Sequence, residues 1–306
     1  TNKNSLSFNN VRVILEDNEH NLWVGTESGG LDKYDRKKNI FYHHRHNPSD
    51  SSSLANDVVL SLFEDNAGTL WVGTDGGLGR YDKKKNKFYN FSSNPANANS
   101  LSNNVVLSIC EDSQGIMWIG TVNGFNRFDK KTNTFTRYFI NTSLTRNPNS
   151  NRINTIFEDK NGKLWVGTGG GLFQFDRASK TFSLVTPVYV TSTILNNKNI
   201  LSLYEDSYGL VWIGSAEDGI AKYDRERMKF RHYKHEPFQE NSLNHNTVRA
   251  LYQDNTGTLW IGTLGGGLNR FNSSTNNFIS YENNQRNKYS LSDNSVSAIC
   301  KDSYGY

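Results

Sequence analysis

Tryptophan recurs along this chain at a nearly constant interval, and that interval limits the possible folds more than any other feature. Neighbouring Trp residues are 47 or 48 positions apart, and the six are Trp23, Trp71, Trp118, Trp165, Trp212 and Trp260. Each is the second residue of a similar stretch, such as LWVGTESGGLDKYD (22–35), LWVGTDGGLGRYD (70–82) and LWIGTLGGGLNRFN (259–272). A catalytic loop is needed once, whereas a stretch used six times indicates a repeat architecture. The motif is therefore interpreted mainly as a structural unit.

Each repeat contains four short strand-like segments separated by turn residues. The first segment, VLSLFED (59–65) in the second copy, is apolar at most positions, as in a strand covered on both faces. An Asp-x-x-Gly-x-x-Trp turn follows, in which Asp65 caps the turn and Gly68 supplies a positive φ. His20 replaces this Gly in the first copy, and His tolerates a positive φ better than most residues. Two more strands follow the Trp strand, and four strands in about 47 residues are typical of a β-propeller blade.

The predicted fold is therefore all-β, a propeller of four-stranded antiparallel blades in one domain over residues 1–306, with each Trp wedged between blades. The blades are expected at about 8–47, 56–94, 103–142, 151–188, 198–236 and 246–283, with the inner strand of a seventh at 294–306. Six full copies and one inner strand suggest a fragment of a seven-bladed ring. A closed six-bladed ring with a spare terminal strand is the alternative.

Composition excludes some classes of function. The formal charge of +4 is spread over 306 residues without a basic block, so a nucleic-acid interface is not expected. No apolar run approaches the roughly 18 residues that span a bilayer. The chain opens on TNKNSLSFNN without Met or an apolar leader, so we expect an excised fragment whose targeting sequence lies elsewhere. Cys110 and Cys300 occupy an apolar slot of the repeat and are expected to be buried and reduced.

The repeat pattern resembles a known family. Asp-x-x-Gly-x-[Leu/Met/Val]-Trp-[Val/Ile]-Gly-[Thr/Ser], followed by Gly-[Leu/Phe/Ile] and [Tyr/Phe]-Asp, is similar to the two-component regulator propeller repeat, and the linking segments NSLSNNVV (99–106) and NSLNHNTV (241–248) strengthen the likeness. The fourth and fifth copies depart from it in their linkers, NPNSNRINTI and TILNNKNIL.

The resemblance implies a non-catalytic periplasmic sensor region of a membrane-bound hybrid histidine kinase that responds to glycan fragments. It implies a homodimeric receptor without a cofactor in this region, with the membrane segment and the kinase and regulator parts beyond Tyr306.

Some positions break the repeat, and such positions are where function can be added to an array. In a propeller, the turns between second and third strands lie at the same end as the loops between blades. We expect a ligand, an oligosaccharide by the resemblance, at this end. The candidate ligand-binding residues are Arg12, Glu27, Asp75, Asn123, Glu217, Asp218 and Arg249. The basic DRKKN and DKKKN turns share the opposite end with acidic turns, where a solvated surface is expected.

Catalytic and metal-binding motifs are sparse. There is no His-Glu-x-x-His, Gly-x-Ser-x-Gly or phosphate-binding Gly-Lys-Ser/Thr motif. His43 and His44 alternate along a strand and point to opposite faces, so no metal site is predicted there. Two alternatives to a sensor stay open: a protein-interaction scaffold without a ligand of its own, and a carbohydrate-active or lyase propeller.

Overall fold

The chain forms an all-β propeller of six four-stranded antiparallel blades, in which the strands of each blade pair in sequence order. The computed structural model describes residues 4–141, 147–186, 195, 197–224 and 229–305. The first three blades comprise β1 (Val11–Glu16), β2 (Leu22–Thr26), β3 (Leu31–Asp35), β4 (Ile40–His44), β5 (Val59–Glu64), β6 (Leu70–Thr74), β7 (Gly77–Asp82), β8 (Lys87–Phe91), β9 (Val106–Glu111), β10 (Met117–Thr121), β11 (Gly124–Asp129) and β12 (Thr134–Tyr138). The other three comprise β13 (Ile153–Glu158), β14 (Leu164–Thr168), β15 (Gly171–Asp176), β16 (Thr181–Leu184), β17 (Ile200–Glu205), β18 (Val211–Ser215), β19 (Ile220–Asp224), β20 (Lys229–Tyr233), β21 (Val248–Gln253), β22 (Leu259–Thr263), β23 (Leu268–Asn272) and β24 (Asn277–Tyr281).

Contacts divide the chain into two compact units. The first unit holds residues 1–140, 151–156 and 300–306, and the second holds 141–150 and 157–299. A single domain over 1–306 stays a prediction, and the predicted limits at residues 142, 188 and 306 lie outside the described residues.

The seventh copy forms no regular strand over residues 294–305. Ser295 makes an isolated bridge to Leu264 in the second unit. In the first unit, the Ser303 amide donates to the Glu16 carboxylate over 2.7 Å, as the Asn18 amide does to Glu64 between the first and second blades. A regular strand needs a paired neighbour, and the described residues contain no Trp strand of this copy to supply one.

Close packing explains why glycine follows the Trp-Val or Trp-Ile pair in the blades where its surroundings are described. A Cβ atom on Gly73 would lie 2.7 Å from Val106 Cγ1 in the third blade, and one on Gly214 would lie 2.6 Å from Val248 Cγ1 in the sixth. These glycines let the first strand of the next blade approach, so this part of the motif is structural.

Four of the tryptophans are wedged between consecutive blades, as predicted. Trp23 packs among Val59, Leu70 and Val72 of the second blade. The other three pack in the same way on the blade that follows their own, and they are Trp71, Trp165 and Trp212. The wedge role predicted from the repeat is therefore confirmed at these four contacts.

The remaining two tryptophans depart from that prediction in different ways. Trp118 is buried, at 2% exposed, but its ring stacks on Phe125 of its own blade, with centroids 4.9 Å apart and planes only 8° apart. Its wedge role against the fourth blade stays a prediction, because that blade belongs mostly to the other unit. Trp260 is half-buried, so the prediction of burial is wrong there. Its ring also lies beside a residue of its own blade, Tyr281, at 5.9 Å between centroids.

The two cysteines are free, as predicted, but they are less buried than predicted. Cys110 and Cys300 are each half-buried. Both belong to the first-strand slot of their repeat, and that slot is only partly covered: Leu15 and Phe63, which fill it in other blades, are half-buried too.

Replacing Trp165 by Ala is expected to lower the free energy of unfolding by about 3–5 kcal/mol, because a large side chain packed against Ile200, Val211 and Ile213 is lost. Trp260→Ala serves as the matched control and should cost less, since Trp260 is already partly exposed. Denaturant unfolding followed by circular dichroism measures both. A cost below about 1 kcal/mol for Trp165→Ala would contradict the wedge role.

Candidate functional site

Each blade has two ends of different character. In the first unit, the turn between β2 and β3 touches the loops between blades, because the Glu27 amide donates to the Asn10 carbonyl over 3.0 Å and the Gly30 amide to the Asp57 carbonyl over 2.9 Å. We call this the variable end. The other end carries the Asp-x-x-Gly turns and the turns between third and fourth strands, and we call it the Asp-turn end. This division agrees with the sequence prediction.

The Asp of each turn has two tasks, of which the sequence predicted one. Asp65 Oδ1 accepts hydrogen bonds from the amides of Ala67 and Thr69 and so closes the turn. Asp65 Oδ2 accepts a hydrogen bond from Trp71 Nε1 over 2.9 Å. The same indole bond occurs in all six blades. The predicted positive φ is present at Gly68 and at His20, where it is 63°.

The Asp-turn end is more ordered than the predicted solvated surface. In the first unit, a Lys or Arg after each third strand reaches both the turn Asp of the preceding blade or segment and the last Glu of its own first strand. The three clusters are Asp17–Lys83–Glu64, Asp65–Lys130–Glu111 and Asp302–Arg36–Glu16, with N–O distances between 2.7 and 3.6 Å. We call them the cation clusters. The solvated surface expected here is present at Lys37, Lys38, Lys84 and Lys85, which are exposed. The expectation was wrong for the turn carboxylates, which are buried beneath the cations.

Burial and the cation act in opposite directions on these carboxylates. Burial raises the pKa of Asp65, but hydrogen bonds from Lys130 and Trp71 outweigh it and hold the pKa below its usual value. Burial likewise raises the pKa of Asp17, and hydrogen bonds from Trp23, Asn21 and Lys83 together outweigh it. Both carboxylates therefore stay ionised over the physiological pH range.

At the variable end of the first unit, two of the predicted ligand residues pair with each other. Arg12 Nη2 lies 2.6 Å from Glu27 Oε1, and Asn10 also donates to Glu27. Arg12 occupies a β-bulge between Val11 and Val13, a feature that re-aims a side chain. Asp75 and Asn123 are exposed on the corresponding turns of the second and third blades.

The second unit holds a larger polar cluster around Asp218. Its carboxylate lies 2.5 Å from Lys198 Nζ and 2.9 Å from Lys234 Nζ, and His232 contacts its backbone carbonyl. Burial raises the pKa of Asp218, but the two lysines outweigh it, so the pKa stays below its usual value. Neither lysine was predicted, because no repeat position marks them.

The other two candidates in this unit take different positions. Glu217 is exposed beside Asp218. Arg249 lies at the β-bulge between Val248 and Ala250, which corresponds to the bulge at Arg12. Their role in ligand binding stays a prediction.

A cavity of about 580 Å³ adjoins the Asp218 cluster. It lies between β20, the loop 234–242 and the start of β24, and it shares His232 and Lys234 with the cluster. Its other polar walls include Glu236, Asn241 and Asn277. Phe238, in the same loop, is fully exposed. The cavity thus offers hydrogen-bonding groups, and the loop that lines it also carries an exposed aromatic ring.

The histidines of β4 take separate roles. His43 Nδ1 lies 2.6 Å from the buried Asp32 carboxylate, while His44 packs against Trp23 and Tyr81 with ring centroids 5.7 and 5.2 Å apart. The opposite directions predicted for the pair are confirmed. Among the described residues, no group of three or more His, Cys, Asp or Glu side chains is arranged to hold a metal ion.

Comparison with known proteins identifies the repeat. The model of the two-component regulator propeller family matches residues 5–28, 53–76, 100–123, 147–170, 194–217 and 242–265. The chain therefore belongs to the two-component regulator propeller repeat family. No protein in a search of curated sequences matches the chain at a significant level.

Solved structures support the same class. The extracellular domain described for a hybrid two-component system of B. thetaiotaomicron is 27% identical with a TM-score of 0.79, covering 98% of this chain and 38% of that one. A second such extracellular domain from this organism shares the fold, at 23% identity and a TM-score of 0.75, covering 96% of this chain and 36% of that one. Virginiamycin B lyase from Staphylococcus aureus, at 13% identity and a TM-score of 0.66 over 92% of this chain and 85% of that one, shares the fold alone.

The chain thus spans a little over a third of the sensor structures that it resembles. In the part of the chain that the structure describes, no helix has the length and apolar character needed to cross a membrane.

The free energy of unfolding should decrease as the pH falls, because His44 binds a proton more readily in the unfolded chain than in the folded one. Burial, with Lys33 nearby, lowers the pKa of His44 to about 4, against about 6.5 in the unfolded chain. The unfolded state therefore binds more protons between these values, so the contribution is complete above pH 6.5 and is lost as the pH falls towards 4. The full loss, reached below pH 4, is between about 3 and 4 kcal/mol.

Phe fills the corresponding slot at Phe91, so His44→Phe should remove this part of the pH dependence and leave stability at pH 8 nearly unchanged. Thermal unfolding at pH 8 and pH 4.5 measures the effect, with exposed His46→Phe as the control. Equal pH dependence in His44→Phe and the wild type would contradict the assignment.

Proposed function

We propose that this chain is the ligand-sensing propeller module of a membrane-bound hybrid two-component histidine kinase. The observation that carries the proposal is the family repeat found six times, together with 27% identity over nearly the whole chain to an extracellular sensor domain. In this proposal the module lies in the periplasm, works within a receptor dimer, performs no catalysis itself and signals to a kinase and regulator part of the receptor.

The ligand proposed is an oligosaccharide fragment bound in the cavity that adjoins the Asp218 cluster of the second unit. Sugars present many hydroxyl groups, which need amide, carboxylate and ammonium partners. Asn241, Asn277 and Glu236 line the cavity, and Lys234 connects it to Asp218. Sugar rings also pack on exposed aromatic faces, and Phe238 supplies one in the loop that lines the cavity.

The Asp-turn end is a weaker candidate for ligand discrimination. Its carboxylates are already bonded to turn amides and indoles, and in the first unit also to cations. A surface that repeats the same bonds from blade to blade distinguishes poorly between ligands. The variable end differs between copies, as the Arg12–Glu27 pair and the Lys198–Asp218–Lys234 cluster show.

The proposal is tested by calorimetric titration of the chain with a panel of defined oligosaccharides. We expect one class to bind, and we expect Phe238→Ala with Asn277→Ala to weaken it at least tenfold, equivalent to about 1.4 kcal/mol. Tyr304→Ala is the matched control, because Tyr304 is 66% exposed but lies in an Asp-x-x-Gly turn of the first unit. It should bind as the wild type does.

The combined replacement of Glu217, Asp218 and Arg249 by Ala tests the residues predicted from sequence. Reduced affinity there would extend the site beyond the cavity walls. Unchanged affinity in both multiple variants would move the site elsewhere. Failure of every oligosaccharide to bind would favour the scaffold alternative.

A further inference from the structure

The contact between the fifth and sixth blades departs from the cation clusters in two coupled ways. The Lys or Arg that follows the third strand, Lys83 in the second blade, is replaced by Ser273 in the sixth. The Glu that ends the first strand, Glu64 in the second blade, is replaced by Gln253. The turn carboxylate itself is retained as Asp206, which is 4% exposed.

Gln253 keeps the structural bonds of this position without the charge. Its Oε1 accepts the Ser207 amide over 2.7 Å, as Glu64 Oε2 accepts the Asn18 amide. Its Nε2 donates to the Gly257 carbonyl over 2.9 Å, a role that Arg177 fills at Gly162 in the fourth blade. The Gln253–Ser207 hydrogen bond therefore still connects the fifth and sixth blades. Among the described residues, no Lys or Arg forms an ion pair with the Asp206 carboxylate, which accepts hydrogen bonds from Trp212 and two turn amides.

A cavity of about 300 Å³ lies at this contact. Its walls include Asp206, Tyr208, Gln253 and Ser273, together with Lys222 and Arg270. A volume of this size suits a small ligand. The Asp206 carboxylate accepts hydrogen bonds from the Trp212 indole and from two turn amides, and the Asp65 carboxylate accepts the equivalent three bonds in its own turn. Asp65 also accepts a fourth bond, from Lys130, which Asp206 lacks.

The two cations in the wall have counterparts in the second-blade contact, where a third cation, Lys83, is also present. Lys222 lies over the Trp212 ring at 5.3 Å from its centroid, and Lys33 lies over Trp23 at the same distance in the first blade. Arg80 in the second blade corresponds to Arg270. Lys83 nevertheless pairs with Asp17 over 3.1 Å in that setting, where Glu19 and Glu64 also lie within 3.3 Å of its Nζ atom. The contact between the first and second blades is therefore an internal precedent for an ammonium group beside the turn Asp. Three carboxylates surround the group there, and one, Asp206, lines the cavity here.

We propose that this cavity binds the primary ammonium group of a small ligand, which takes the position that Lys83 and Lys130 fill in the cation clusters. Asp206 supplies the opposite charge and the Ser273 hydroxyl a hydrogen-bond acceptor. The exposed ring of Tyr208 offers a face for cation–π contact. The ammonium group comes from an amino sugar or from a lysine side chain, and the test separates these sources. The proposal does not depend on the sensor function.

The Trp212 indole N–H reports on the site directly, because it donates to Asp206 Oδ2 over 2.7 Å. We would record nitrogen–proton correlation spectra of the six indole groups, with Trp212 assigned by Trp212→Phe. Titrants are glucosamine, N-acetylglucosamine as its uncharged match, and N-acetyl-lysine methylamide as a model of a lysine side chain. The expected result is a saturable shift of the Trp212 signal with an ammonium compound and none with N-acetylglucosamine.

The double variant Ser273→Lys with Gln253→Glu restores the composition of a cation cluster and should fold. It is expected to weaken ammonium binding at least tenfold, because its own lysine occupies the position. Ser274→Lys adds the same charge one residue away, on an exposed turn, and should change affinity less than twofold.

Three outcomes would overturn the proposal: no saturable Trp212 shift with either ammonium compound, an equal response to N-acetylglucosamine, or unchanged affinity in the double variant. A Trp212 response to glucosamine alone assigns the site to amino sugars, and a response to the lysine model alone assigns it to protein side chains. Oligosaccharide binding in the cavity that adjoins the Asp218 cluster, without a Trp212 response, would leave the sensor function standing and refute this site.

Discussion

The bond between a turn aspartate and the indole of the same blade is the interaction on which the rest of the structure depends. It recurs in all six blades with N–O distances from 2.6 to 2.9 Å. One carboxylate oxygen closes the turn and the other fixes the Trp ring. At the four confirmed contacts, the ring then has the orientation needed to fill the space against the next blade. Turn geometry, blade spacing and core packing are thereby set by one side chain.

This arrangement buries a negative charge, which is costly without partners. Indole and amide donors reduce the cost, and in the first unit a cation from a neighbouring blade or segment reduces it further. The carboxylate therefore couples adjacent blades both by the ring that it positions and by the cation that it attracts. The Asp-turn end repeats the same internal bonds from blade to blade. Ligand specificity is therefore expected at positions where the repeat changes.

Much of the fold was predictable because the evidence for it is local and repeated. The Trp period gives the blades, and the Asp-x-x-Gly turns give the hairpins, including the positive φ at His20. The exposure of Trp260 was not predictable, since burial depends on what covers a blade and not on its own sequence. The sites were harder still. Lys198 and Lys234 meet Asp218 from separate segments, and no spacing in the sequence encodes that meeting.

Departures from the repeat are most informative when two of them touch. His20 is a single departure, and the turn absorbs it while keeping its positive φ. Arg12 and Glu27, by contrast, depart together and pair at 2.6 Å. Ser273 and Gln253 also depart from the repeat together at one contact. The hydrogen bonds of Gln253 preserve the contact between the two blades, while the Lys and Glu charges of the repeat are absent. Random loss of Lys alone would leave Glu and Asp facing each other across the contact, with repulsion between them. The paired change avoids this repulsion and leaves Asp206 without the ion pair that Asp17 and Asp65 make, in a cavity whose wall also holds Lys222 and Arg270. The proposed ligand ammonium group would restore that ion pair.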